Sequence, residues 1–284
     1  MTPADVDPAA DAVARGGWGD RRAWFTFATA HPGCGPIVAV DRDGIVGTGV
    51  GTANGSVGWV GTIFVTPERR GAGLGRALTD HVCAALEAAG CRSLVLVATD
   101  EGRLLYERMG FEVVDRYATV EREGTGSMGD ASAADGGADA PDASRILTPF
   151  APSDVPEAAA LDRVATGEDR AHLLASFAAL PGGLTVRAAA DGSLRAFLLR
   201  APWGGGATIA PDLEDARTIL AARLRAAAPG HRVRAGVLAS NEAGLAMLHG
   251  DGWTDAWTAP RMARGAPVDA TLASIWGQFN HAVG

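Results

Sequence analysis

The sequence predicts an α+β fold, an α/β/α sandwich built twice along the chain, each copy a mixed and mostly antiparallel sheet flanked by helices. Three observations support this prediction. A β-branched and aromatic run over residues 62–65 leads through a glycine-rich turn into a long amphipathic helix. A second apolar run, residues 94–97, precedes a short helix that stops at Gly110. The same order of patterns returns after residue 145, so we expect an internal duplication within the 284 residues.

The turn after the first strand has the features of an anion site. Three alternate glycines and three arginines mark it: Gly71, Gly73, Gly75, Arg69, Arg70 and Arg76. Glycine permits positive φ and lets a ligand approach the backbone amides without a Cβ in the way. The first N–H groups of a helix lack internal partners and favour negative charge. The turn therefore predicts a cradle for a phosphate or pyrophosphate; the alternative is a tight turn beside a solvated arginine face.

Two common phosphate-binding motifs do not fit this turn. A Walker A loop needs a lysine after its last glycine, and the chain contains no lysine. A Rossmann fingerprint needs a third glycine where Arg76 stands. The pattern that remains, Arg70-x-x-Gly73-x-Gly75 after a strand, resembles motif A of the GCN5-related N-acetyltransferase (GNAT) family, whose amides hold the pyrophosphate of acetyl-CoA.

A second motif strengthens the resemblance. The run Leu105-Tyr106-x-x-x-Gly110-Phe111 looks like the L-Y-x-x-x-G-F signature of the same family. The two motifs occur in the family's order, separated by a helix and a strand, and together they extend the resemblance over about residues 36–120. The whole chain resembles two-domain bacterial members of the family in which the C-terminal GNAT-like domain is degenerate.

The resemblance implies acetyl-CoA as the cofactor and a set of residues that contact it. In the family, the strand before the turn splays from the next strand, and the pantetheine arm inserts between them. The implied contacts are Ile63, Phe64, Val65, Arg70, Gly71, Ala72, Gly73, Leu74, Gly75, Arg76, Thr99 and Tyr106. Thr99 stands where many relatives have asparagine, and its hydroxyl can still hydrogen-bond the pantetheine or a water molecule.

Tyr106 occupies the position of the family's catalytic tyrosine, which protonates the departing CoA thiolate. A phenol suits this role because its ordinary pKa of about 10 lies slightly above that of a thiol. The alternative is a half-buried tyrosine whose hydroxyl binds water. No residue of the sequence identifies itself as the general base.

The acceptor side is marked by fewer signals. In the resembling family the first two helices form a wall of the acceptor site, which makes Trp18 and Trp24 candidate substrate contacts; the alternative is that they belong to the core. Asp100 and Glu101 follow the second apolar run, residues 94–97. There they either attract or deprotonate an amine, or they cap the next helix. The net charge of −8 makes a cationic amine plausible.

The chain divides by pattern into three parts. Residues 1–122 form the predicted catalytic domain, residues 123–144 a flexible acidic Gly/Ala linker, and residues 145–284 the degenerate copy. In that copy, acidic residues such as Asp212 stand at the helix start, and Leu248 replaces the tyrosine. We therefore expect it to bind no CoA and to support the first domain or close over the acceptor. Its charged residues Asp162, Asp169 and Arg170 are expected in such a pocket or on a solvated helix face.

Composition excludes several other functions. The acidic net charge argues against a nucleic-acid partner. The three cysteines Cys34, Cys83 and Cys91 show neither disulfide nor metal-ligand spacing, so no metal is expected. The start of the chain lacks a leader pattern, and no apolar run is long enough for a membrane span, so we expect a cytoplasmic protein without a membrane partner. We expect a monomer or homodimer.

The predicted reaction is transfer of acetyl from acetyl-CoA to a primary amine of a small molecule or peptide. The amine attacks the thioester directly in a ternary complex, without a covalent acyl-enzyme. The alternative is a non-catalytic acyl-CoA sensor or scaffold that keeps the cradle without turnover.

Overall fold

The computed structural model of the chain describes residues 1–126 and 144–284. Within these ranges no helix is both long and apolar enough to cross a membrane. The helices of the first half are α1 (Val6–Arg15), α2 (Arg22–Ala30), α3 (Leu74–Ala88) and α4 (Asp100–Glu107). Its strands are β1 (Cys34–Asp41), β2 (Gly44–Asn54), β3 (Val57–Val65), β4 (Ser93–Val97) and β5 (Glu112–Glu123).

The second half repeats this order of elements. Its helices are α5 (Val155–Thr166), α6 (Ala171–Phe177), α7 (Leu213–Ala226) and α8 (Glu242–Gly250). Its strands are β6 (Arg145–Pro149), β7 (Leu184–Ala188), β8 (Leu194–Arg200), β9 (Gly206–Ile209), β10 (Arg232–Leu238), β11 (Thr254–Gly265) and β12 (Ile275–Gly277). The predicted α+β fold, built twice, is confirmed.

The duplication extends to the details of helix capping. Thr99 and Asn241 cap the starts of α4 and α8, each with a side-chain oxygen that accepts a backbone N–H three residues on. Gly110 and Gly252 follow the two helices, and both have a φ of 81°. A left-handed residue at this position favours glycine, which explains why both copies keep it.

The two halves exchange strands. The larger sheet has the order β1-β2-β3-β4-β11-β5-β10, so β11 of the second half lies between β4 and β5, and β5 of the first half lies between β11 and β10. The smaller sheet has the order β12-β9-β8-β7-β6. Each half thus completes its layer with a strand of the other. The halves interlock, and the predicted domains share one continuous sheet.

The predicted boundary at residue 122 lies inside β5, whose Glu123 still pairs with Arg232. Backbone N–H groups of Gly124, Thr125 and Gly126 then donate to carbonyls of the second half. These residues are therefore part of the folded structure, which corrects the predicted start of the linker. The remainder of that predicted linker, residues 127–143, lies outside the described residues.

A buried polar cluster fastens the halves together. Glu168 is 2% exposed, and its carboxylate accepts hydrogen bonds from Asn54 Nδ2 at 2.7 Å and from Trp59 Nε1 at 3.0 Å. Burial raises the pKa of Glu168, while nearby Arg170 opposes that shift. These bonds join residues of the two halves across the interface, so the interface is specified by hydrogen bonds as well as by apolar packing.

The charged residues of α5 and the segment after it are placed differently from the prediction. Asp162 and Arg170 are both wholly buried and form a two-point ion pair, with N–O distances of 2.5 and 3.0 Å. They lie neither in a ligand pocket nor on a solvated face. Asp169 is the exposed one, and it pairs with Arg163 at 3.1 Å. The residue spacing in the sequence did not show that Asp162 faces the core and that Asp169 faces solvent.

Candidate functional site

The strands β3 and β4 separate at the point where the glycine turn begins. They pair in parallel only from Val57 to Trp59 on β3, although both strands continue further. Next in β3, Thr62 has a φ of 50°, and its carbonyl accepts a hydrogen bond from Thr48 Oγ1 at 2.9 Å. Trp24 Nε1 donates to Thr62 Oγ1 at 3.0 Å. These two bonds hold a strained residue that turns β3 away from β4.

The gap between the strands opens into a cleft of about 910 Å³, called here the first cleft. It brings together most of the predicted site residues. Those that line it are Trp18, Trp24, Ile63, Phe64, Val65, Arg70, Gly71, Gly73, Gly75, Arg76, Thr99, Asp100, Glu101 and Tyr106. Ala72 and Leu74 are not among its lining residues, although they belong to the same turn.

The glycine turn presents an unobstructed helix start to this cleft. Gly71 and Gly73 have φ of 80° and 83°, and a Cβ added to either would meet nothing within 4 Å. Gly73 is the N-cap of α3, and glycine has no side chain to accept from the first amides of the helix. Gly75 lies within α3 without a positive φ, so only two of the three glycines are needed for their backbone conformation.

The arginines of the turn divide into two groups. Arg70 and Arg76 line the first cleft. Arg69 instead pairs with Asp41 at 2.6 Å and Asp43 at 2.9 Å, at the tip of the β1–β2 hairpin. The prediction that Arg69 adds charge to the cradle is therefore wrong, because this guanidinium is already neutralised by two carboxylates.

Tyr106, on α4, also lines the first cleft. Its ring packs edge-on against Phe111, with centroids 6.0 Å apart. Burial raises the pKa of Tyr106 to about 12, and Cys83 adds to the shift. The phenol therefore stays protonated near neutral pH, which is the state that a proton donor requires.

The start of α4 settles which residue caps the helix. Thr99 Oγ1 accepts from Gly102 N at 3.1 Å, so the cap is Thr99, and Asp100 and Glu101 occupy the first turn. The cap uses an oxygen lone pair of Thr99, and the hydroxyl hydrogen remains able to donate into the cleft. Glu101 is highly exposed, with its carboxylate 4.0 Å from Arg70.

The far wall of the first cleft comes from the second half, and sequence reasoning did not find it. Its residues are Trp203, Trp257, Thr258, Ala259, Asn280, His281 and Ala282. Trp24 packs edge-on against Trp203, with centroids 5.1 Å apart, and Trp18 packs similarly against Phe64 at 5.6 Å. Trp24 is thus a core residue that also lines the cleft, and its contact with a substrate stays a prediction.

His281 occupies a central place in this wall. Its ring lies edge-on to Tyr117 at 4.7 Å and to Trp257 at 5.3 Å, between centroids. Burial, with smaller contributions from the charges of Arg21 and Arg261, lowers the pKa of His281 from 6.5 to about 4. The imidazole is therefore neutral in the folded protein at neutral pH.

This shift predicts a pH-dependent loss of stability. As the pH falls from 6.5 towards 4, His281 takes up a proton in the unfolded chain before it does so in the folded one, so the free energy of unfolding decreases. We expect His281→Gln to remove about 2 kcal/mol of this decrease. Urea denaturation of both proteins at several pH values measures it. Parallel curves for the two proteins would contradict the assignment.

The corresponding region of the second half is partly filled by the protein itself. β9 and β10 correspond to β3 and β4 of the first half. β12 pairs with β9 and packs against β10, so it fills part of the gap between these two strands. Asp212 caps α7 by accepting from Glu214 N at 2.9 Å and Asp215 N at 3.2 Å. The prediction that carboxylates satisfy this helix start is confirmed. β12 is an additional obstruction that the sequence patterns did not indicate.

A splayed sheet beside a glycine-capped helix, within an order of elements that the second half repeats, defines the class of the fold as GNAT. Residues 32–113 match the family model described as "Acetyltransferase (GNAT) domain". The matched residues lie in the first half and include both the glycine turn and Tyr106. A 66-residue stretch is 34% identical to glucosamine 6-phosphate N-acetyltransferase of Trypanosoma brucei brucei, covering 23% of this chain and 45% of that protein. The chain thus spans about half the length of this relative.

Solved structures extend the likeness to the whole chain. A Pyrococcus horikoshii protein assigned as an acetyltransferase has a TM-score of 0.79 at 17% identity, covering 100% of this chain and 94% of that one. A GCN5-related N-acetyltransferase from Sphaerobacter thermophilus has a TM-score of 0.63 at 15% identity, with coverages of 95% and 97%. A tandem GNAT protein from the clavulanic acid biosynthesis pathway has a TM-score of 0.55 at 14% identity, with coverages of 92% and 94%. At these identities the structures establish the tandem GNAT fold.

Proposed function

We propose that this protein transfers acetyl from acetyl-CoA to a primary amine, using the first cleft. The proposal rests on one observation: the same cleft is lined by a helix start without a side-chain cap, two separated strands and a protonated tyrosine. Acetyl-CoA would supply the activated acetyl thioester. The residues present fit it, because the space beside Gly71 and Gly73 is the space that side chains would otherwise fill.

The chain's own residues would divide the work between binding and proton transfer. Backbone N–H groups of the α3 start, with Arg70 and Arg76, would hold the pyrophosphate. The backbone of residues 63–65, freed from pairing with β4, would orient the pantetheine arm. Tyr106 would hold a proton at Oη for the departing thiolate. The aromatic wall of Trp24 and Trp203 would exclude water from the reacting groups.

The glycine cradle gives a test with a matched control. Gly73→Ala places a Cβ at the cradle, whereas Gly192→Ala places one at another exposed left-handed turn with open space around it. Each variant carries a similar backbone strain of about 1 kcal/mol. We expect Gly73→Ala to weaken CoA binding in calorimetry about tenfold or more, and Gly192→Ala to leave it unchanged.

Thiol release from acetyl-CoA then separates the enzyme from the sensor. The wild-type protein is assayed with a panel of primary amines that includes glucosamine 6-phosphate, the substrate in the relative's name. Release of free thiol with any amine of the panel supports the enzyme. CoA binding that depends on Gly73 without thiol release would favour the acyl-CoA sensor. CoA binding that is unaffected by Gly73→Ala would remove the proposed cradle altogether.

A further inference from the structure

A second cleft, of about 990 Å³, adjoins the acceptor side of the first. The two clefts share five lining residues: Arg21, Trp203, Trp257, Asn280 and His281. The two clefts therefore meet at these residues, and a ligand bound against them can contact both. None of the sequence patterns indicated this space.

The second cleft exists because the duplication is imperfect. In the first half, β3 and β4 pair over Val57–Trp59 before they separate. In the second half β9 is only four residues long, and within the described residues it forms no ladder with β10. β12 covers one part of the space between them, and a Gly204-Gly205-Gly206 run borders the rest. The space between β9 and β10 that β12 leaves uncovered is thus an open cavity.

This cavity is strongly basic, although the chain as a whole is acidic. Five arginines line it: Arg21, Arg200, Arg223, Arg232 and Arg234. Among its lining residues, in the part of the chain that the structure describes, there is no carboxylate. Arg232 and Arg234 share the single nearby Glu121, at 2.9 and 3.2 Å.

The other three arginines form no ion pair within the described residues, although Arg200 Nη2 donates to the Gly204 carbonyl at 3.1 Å. Within residues 1–126 and 144–284, no carboxylate lies within 4.0 Å of the guanidinium groups of Arg21, Arg200 and Arg223. The Nε atom of Arg223 is buried and has no hydrogen-bond partner in the same ranges. A buried donor without a partner costs roughly 1–3 kcal/mol, so the fold retains this arrangement at the expense of stability.

The arginines also repel one another. Burial lowers the pKa of Arg223 to about 10, and Arg200 contributes to the shift. Both guanidinium groups nevertheless remain charged at neutral pH. An oxyanion in the cavity would relieve the repulsion and supply acceptors for the unpaired donors, because planar guanidinium groups bind phosphate and carboxylate at two points.

We infer that the second cleft binds an oxyanion carried by the acceptor, so that the substrate is an amine with a phosphate or carboxylate at its other end. The inference rests on the proposed function, because it places the amine of the same molecule in the first cleft. The net charge of the chain suggested a cationic amine as acceptor. The local positive charge of the second cleft favours instead an amine that also carries an anionic group.

The test compares acceptors that differ only in the anionic group. Thiol release from acetyl-CoA is measured with a series of ω-aminoalkyl phosphates, ω-amino acids and the corresponding ω-amino alcohols. We expect kcat/KM to be at least about tenfold higher for the anionic members than for the alcohols. The chemistry preferred, phosphate or carboxylate, identifies the source of the oxyanion. Equal kcat/KM for charged and neutral members would overturn the inference.

Variants locate the effect in the second cleft. Arg223→Met should abolish the preference for the anionic acceptors and leave kcat/KM for the alcohols within about twofold. Arg21→Gln, at an exposed position, should reduce the preference even if Arg223→Met folds poorly. Arg42→Gln removes one charge from a residue whose side chain is 89% exposed, on the β1–β2 turn, and should change neither value. A preference that persists in both cleft variants would place the oxyanion elsewhere.

A binding measurement separates failure of this inference from failure of the proposed function. Calorimetry titrates the same ω-aminoalkyl phosphates, ω-amino acids and amino alcohols into the wild-type protein without acetyl-CoA. Binding of either anionic series but not of the alcohols, lost in Arg223→Met, supports the second cleft even if no amine is acetylated. Absence of binding by both anionic series, or binding unchanged in Arg223→Met, overturns the inference even if acetylation is observed.

Discussion

Replacement of Tyr106 by phenylalanine is expected to lower kcat about a hundredfold while leaving the dissociation constant for CoA unchanged. The phenylalanine ring keeps the edge-on packing against Phe111, so only the hydroxyl proton is lost. A group that acts on the leaving thiolate contributes in the transition state and little to binding. Steady-state rates and CoA calorimetry on the same preparation measure both quantities.

Two further observations test the role of this proton. Tyr106→Leu introduces the residue that the second half has at Leu248, and it should lower kcat as much as Tyr106→Phe, because both lack the hydroxyl. In the wild-type protein, kcat should not fall through loss of this proton until the pH approaches the pKa of about 12. Equal losses of turnover and CoA affinity in Tyr106→Phe would contradict a role as proton donor.

Of the variants described, Asp162→Asn, which removes a buried charge, is expected to lose the most stability. Asp162→Asn leaves Arg170 buried without the carboxylate that it contacts at 2.5 and 3.0 Å. Breaking such a pair costs about 3–5 kcal/mol, because a desolvated charge loses its compensation. Urea denaturation with an unchanged m-value measures the decrease in the free energy of unfolding.

The neighbouring exposed pair provides the control. Arg163 and Asp169 are 61% and 51% exposed, and Arg163→Gln should cost less than about 1 kcal/mol. The double variant Asp162→Leu, Arg170→Met replaces both buried charges with apolar side chains, and it should recover much of the stability lost in Asp162→Asn. If Asp162→Asn cost no more than Arg163→Gln, the buried position of the pair would be refuted.

The cofactor side of the candidate site was largely predictable from the sequence. Its determinants are local: a strand that ends at a proline, glycines at positive φ and a tyrosine at a fixed distance before a C-capping glycine. Gly71, Gly73, Thr99 and Tyr106 all line one cleft, as the motifs indicated. Local patterns did not show that Arg69 faces the hairpin, because its partners Asp41 and Asp43 lie on another element.

The class of fold, its duplication and the glycine cradle could be predicted from the sequence, because each follows from spacing within a few dozen residues. The acceptor side could not, because it is built by tertiary contacts. β11 enters the sheet of the first half, and His281, Trp203 and four of the five arginines of the second cleft come from the second half. Such contacts join residues more than a hundred positions apart, like the 114 that separate Asn54 from Glu168. Periodicity and turn chemistry act over a few residues, so they carry no information about these pairings.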